Sequence, residues 1–143
     1  MLPGVARRLP VIQTPPAEDA EALARPAWQW VLIGGGFTVT LWLPLATLAA
    51  WTQNRALIAL SFIIAATLSG LLVGRFGPRA RLGHVALAGA VGGAMGFMLA
   101  ILGGGAPPWP LALVAFATLL GSGAAFALLG GYVMRRRRKK QPS

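Results

Sequence analysis

The chain has 143 residues, with 13 basic and 3 acidic side chains, a formal net charge of +10, 56% hydrophobic residues and a mean hydropathy of +0.67. Charged residues make up 11%, against roughly 25% in soluble domains, too few to cover the surface of a water-soluble fold of this length. No cysteine is present, which excludes disulfides, thiolate chemistry and cysteine-based metal sites.

Residues 1–27 hold five prolines and all three acids, Glu18, Asp19 and Glu21. Such a segment buries too little apolar surface to offset its ordering entropy, so a mostly disordered cytoplasmic tail is expected. Thr14, Pro15 and the acids that follow also have the order of a short helix start: a cap, a first-turn proline and early negative charge. Arg7 and Arg8 lead into a proline-broken stretch, not the continuous apolar run of a secretory signal.

From residue 28 the pattern changes. A hydrocarbon core of about 30 Å needs roughly 20 apolar residues in a helix. Four stretches meet that requirement: about 28–51, 56–76, 84–102 and 110–134. Each is a continuous run without alternation, and lipid leaves no partner for unpaired strand edges, so helices are expected. The fold class is therefore all-α, a four-helix transmembrane bundle with short loops and both termini cytoplasmic. Residues 28–134 form its membrane domain, and 135–143 form a polybasic cytoplasmic tail.

The interruptions are short. Thr52-Gln53-Asn54-Arg55 is polar. Gly77-Pro78-Arg79-Ala80-Arg81 is basic and carries a helix-stopping Gly-Pro. Residues 103–110 form an uncharged turn rich in glycine and proline. With four spans, both tails share a side with the second loop. That side collects Arg7, Arg8, Arg25, Arg75, Arg79, Arg81 and the run Arg135, Arg136, Arg137, Arg138, Lys139 and Lys140, which is twelve of the thirteen basic residues. The opposite side has only Arg55. Cytoplasmic loops are the ones enriched in Lys and Arg, which sets the orientation. Trp28, Trp30, Trp51, Trp109 and Tyr132 fall near span ends, where amphipathic rings favour the membrane interface.

Spans associate in lipid through small residues that let backbones approach. In the third span Ala86, Gly89, Gly93, Gly96, Ala100 and Gly103 recur every three or four residues, the period of a left-handed helix pair. Gly89 to Gly93 and Gly92 to Gly96 are both GxxxG. Weaker stripes run through Ala59, Ala66 and Gly70 in the second span and Ala117, Gly121, Ala124 and Gly131 in the fourth. Two readings fit: packing inside the bundle, or docking of a partner or a second copy. The inner ends of the second and fourth spans also share a loose likeness, Leu71-Leu72-Val73-Gly74 and Leu128-Leu129-Gly130-Gly131, as a duplicated hairpin would.

The spans hold no Asp, Glu, Lys or Arg away from their ends. An intramembrane ionisable group is the default sign of an ion or proton path, so proton-coupled transport is disfavoured. His84 is the single histidine and suits a helix cap or a headgroup contact. Ser122 in Gly121-Ser122-Gly123 has no general base at its depth, and its hydroxyl is expected on its own backbone. No catalytic, cofactor or metal site is expected. The expected function is non-enzymatic: an accessory, assembly or scaffold subunit in a bacterial inner membrane. Its partner would be another membrane protein or a second copy. The six terminal cations would sit on anionic lipid headgroups; no nucleic acid partner is expected. The alternative is a homo-oligomeric channel or uncoupled transporter lined by hydroxyls and glycine backbone.

Overall fold

The computed structural model describes residues 25–77 and 80–140, apart from the side chain of Arg138. The expected proline-rich tail and its possible short helix lie outside the described residues, except for Arg25 and the residues next to it. So do Pro78 and Arg79 of the basic loop and the last three residues.

All regular structure among the described residues is helical: α1 Ala27–Trp51, α2 Arg55–Phe76, α3 Leu82–Gly104 and α4 Trp109–Lys140. All four are long and apolar enough to cross a bilayer, and the chain is a multi-pass membrane protein. Successive helices run in opposite directions. The start of α1, the turn between α2 and α3 and the end of α4 therefore share one end of the bundle, here the terminal end.

The boundaries follow from local chemistry. Pro26 precedes α1 in extended conformation, and its carbonyl accepts from the Gln29 N–H at 3.1 Å. Gln53 turns the chain after α1 with φ of 54°. The Asn54 side chain then opens α2 by accepting from the Ala56 N–H at 3.0 Å, an ordinary N-cap role. Gly77 ends α2, its N–H donating to the Val73 carbonyl at 2.9 Å. At the start of α3 the His84 Nδ1 accepts from the Arg81 backbone N–H at 3.2 Å. Gly105, with φ of 82°, closes α3 in a backbone conformation that glycine adopts without strain.

Two features go beyond the sequence reading. Pro44 lies within α1, where it withholds one donor from the helix ladder. Near it the Thr47 hydroxyl donates to the Pro44 carbonyl at 2.7 Å. Second, α4 does not stop at residue 134. It continues through Lys140 for 32 residues in all. Arg and Lys are good helix formers, and cations are favourable at a helix C-terminus. The basic segment 135–140 is therefore helical.

In the bundle, α1 packs on α2 and α3, and α4 packs on the same two helices. Helices α2 and α3 approach across the centre, while α1 and α4 scarcely meet. The core, formed by Trp30, Val73, Ala80, Val85, Ala88 and Ala127, lies toward the terminal end. Trp51 and Trp109 stay outside the packing, 87% and 75% exposed, which suits the interface reading of both rings.

Candidate functional site

The glycines of α3 serve two neighbours. A side-chain carbon at Gly89 would collide with the Gly123 carbonyl of α4, and one at Gly93 with the Leu119 carbonyl. Turned about the helix axis from that face, a carbon at Gly92 would stand 2.7 Å from Thr38 Cβ, and one at Gly96 2.7 Å from Trp42 Cζ3, both on α1. The two overlapping GxxxG patterns are thus two faces, 89/93 toward α4 and 92/96 toward α1. Both are filled from within the chain, so neither is open to a partner.

The rest of the expected stripe lies elsewhere. Ala86 is half-buried, and Ala100 and Gly103 are exposed, with open space beside Gly103. The seam stops short of them because Phe97 and Phe116, with ring centroids 5.2 Å apart, stand between α3 and α4. Beside these rings lies an apolar cleft of about 550 Å³ lined by Phe97, Met98, Ile101, Trp109, Leu113 and Phe116.

On α4 the expected stripe and the packed stripe differ. Gly121 is exposed, with nothing near its missing side chain, and Ala117 is exposed too. The buried seam is Gly123, Ala127, Gly130 and Gly131. Two residues rotate a helix by about 200°, which carries 117 and 121 to the outer face. The α4 seam also meets α2. A carbon at Gly70 would stand 2.7 Å from the Ala127 Cα, and one at Gly74 3.0 Å from the Gly131 Cα. The two short segments that look alike in sequence therefore pack against each other. Of the α2 stripe, Ala66 and Gly70 are buried and Ala59 is exposed.

The hydroxyls in the spans donate to backbone carbonyls. Thr38 bonds Gly34 at 2.9 Å, Thr40 bonds Gly36 at 2.9 Å, Ser61 bonds Ile58 at 2.6 Å, Thr67 bonds Ile63 at 2.8 Å and Thr118 bonds Val114 at 2.7 Å. The Ser122 hydroxyl donates to the Thr118 carbonyl at 2.6 Å, while His84 is held at the start of α3. The two side chains are not brought together. Ser69 is the one hydroxyl that joins two helices, donating from α2 to the Gly34 carbonyl of α1 at 2.6 Å. That carbonyl keeps the Thr38 hydroxyl if Ser69 is lost. Ser69→Ala is accordingly expected to cost only about 0.6 kcal/mol, the mean for interhelical hydrogen bonds in membranes, in a detergent unfolding titration.

The terminal end carries the charge. The Arg135 guanidinium donates to the Ala80 carbonyl, linking α4 to the turn before α3. Arg136 lies over the Tyr132 ring, 5.6 Å from its centroid, and Arg75 lies over Phe76 at 5.5 Å. Arg137, Lys139 and Lys140 are exposed. Sequence reasoning treated the six terminal cations as equivalent; their separate directions depend on α4 staying helical. It also passed over Trp42, whose ring packs edge-on against Phe62 at 5.5 Å. The signal available was a tryptophan at mid-span, away from the interface where such rings usually sit.

Among the described residues no group of three or more His, Cys, Asp or Glu is arranged to hold a metal ion. No family model, no curated protein and no solved structure matches this chain.

Proposed function

We propose that the chain is a non-enzymatic accessory or assembly subunit of a membrane complex in a bacterial-type inner membrane, with both ends in the cytoplasm. The observation that carries this reading is the outward face of α4. Only 11% of its most apolar stretch is buried in the bundle, against 28–39% for the other helices. Along that face Ala117, Gly121 and Ala125 are exposed at intervals of four, and nothing lies near Gly121. Lipid tails are as apolar as leucine, so close backbone approach at small residues is what draws one span to another. The faces of α3 that could have served the same purpose are already filled. The orientation rests on the gathering of cations at the terminal end.

The test is co-purification in mild detergent. The wild-type chain should bring down a larger membrane protein in fixed proportion. Gly121→Leu should lose it while unfolding as the wild type does, because that position touches nothing within the bundle. Solute flux through liposomes holding the pure protein alone would contradict this reading and favour a homo-oligomeric pore.

A further inference from the structure

The end of α4 separates one inward-turned cation from exposed ones. Arg135 is turned inward onto the Ala80 carbonyl, which fixes the rotation of α4 where it leaves the apolar region. Tyr132, Arg136 and Lys140 follow at intervals of four, with Val133 and Arg137 alongside, so all five share one face of the helix. They line a shallow groove of about 250 Å³. The groove faces away from the bundle: the packed seam of α4 is Gly123, Ala127, Gly130 and Gly131, while all five groove residues are exposed.

Depth and charge identify the occupant. With the Trp109 ring in the interface, about 20 residues at 1.5 Å each counted from Ala112 cross a hydrocarbon layer of about 30 Å, bringing α4 to its edge near Tyr132. The headgroup layer beyond is roughly 5–8 Å thick on each side, so Arg136 and Arg137 stand level with lipid phosphates. The Arg136 Cζ lies over the Tyr132 ring, 5.6 Å from its centroid, and its guanidinium carries five N–H donors suited to a phosphate. The three Asp and Glu side chains are at positions 18, 19 and 21, so no acidic side chain is among the described residues to neutralise the groove.

We propose that this groove binds the phosphate of an anionic phospholipid. Arg136, Arg137 and Lys140 supply the counter-charge, and Tyr132 and Val133 lie against the start of the acyl chains. The inference rests on the transmembrane reading and is independent of whether α4 docks a partner protein.

The test uses the full-length protein in detergent, titrated with phosphatidylglycerol or phosphatidylcholine and read by native mass spectrometry. The wild type should retain one phosphatidylglycerol at roughly ten- to thirty-fold lower concentration than phosphatidylcholine, the weight of about two surface cations. R136Q/R137Q should abolish that preference. R138Q/K139Q removes the same charge from the same helix end and should keep it. A large excess of inorganic phosphate should leave the lipid bound. Circular dichroism checks that both variants remain helical. Equal loss in the two double variants would overturn the proposal in favour of diffuse attraction. Displacement by inorganic phosphate would overturn it in favour of a free-anion site.

Discussion

Gly89→Ala is expected to destabilise the bundle by about 3 kcal/mol or more, the upper part of the range for overpacking a filled interior. The added methyl would overlap the Gly123 carbonyl and approach Ala127 Cβ to 2.6 Å. The Gly123 carbonyl is backbone and the Ala127 Cβ is fixed to it, so no flexible side chain can swing aside. The helices must separate, and their dispersion contacts along the seam weaken together. Gly70→Ala, facing the Ala127 backbone, is expected to behave alike. Gly121→Ala and Gly103→Ala provide the contrast. Both positions open onto empty space, so alanine should be neutral or stabilise by up to ~1 kcal/mol through helix propensity. Unfolding titrations in mixed detergent micelles measure all four, and equal effects at positions 89 and 121 would contradict the seam.

Trp30→Ala is expected to cost about 3–5 kcal/mol, as truncation of a buried aromatic ring usually does. Trp30 is 7% exposed and belongs to the main core cluster, with Ile33 and Leu72 packed against that cluster. Its ring also supports the turn after α2: a side-chain carbon at Gly77 would stand 3.4 Å from Trp30 Cδ2. The indole Nε1 is buried without a hydrogen-bond partner among the described residues. An unsatisfied buried donor carries a penalty of about 1–3 kcal/mol. Trp30→Phe removes that donor while keeping an aromatic ring, so the loss of volume and the relief of the penalty oppose each other. The expected net change is within ~1 kcal/mol of wild type. A phenylalanine variant as unstable as the alanine variant would mean that the indole N–H is satisfied.

The number of the spans and their approximate positions were legible because bilayer thickness imposes a length on any apolar helix. The breaks at Gln53-Asn54, at Gly77 and at residues 103–108 were legible because polar, glycine and proline residues have few other uses between such runs. The direction in which each small residue points was not. Gly121 and Gly123 are equally small, and only the rotation of α4 about its axis, set by packing, decides which one meets α3. Gly92 and Gly93 belong to overlapping patterns, and their division between α1 and α4 is a property of three helices at once. The continuation of helix through the basic segment was not legible, because the length of an apolar run sets the span and not the end of the helix, and Arg and Lys propagate helix readily in water. Of the two roles expected for His84, helix cap or headgroup contact, the structure shows the cap: in the first turn of α3 its ring accepts from an otherwise unpaired backbone N–H.

The central claim is that four helices cross the bilayer and gather the termini and the α2–α3 turn on one face. Because the chain has no cysteine, single cysteines introduced one at a time at Gly83, Lys140, Gln53 and Gly104 report their side without interference. Gly83 and Lys140 lie at the terminal end, Gln53 and Gly104 at the far end. In intact cells a membrane-impermeant maleimide should label positions 53 and 104 and leave 83 and 140 unlabelled until the membrane is opened. Labelling of 53 and 83 from the same face, or recovery of the unmodified chain in a detergent-free aqueous extract, would contradict the four-span account.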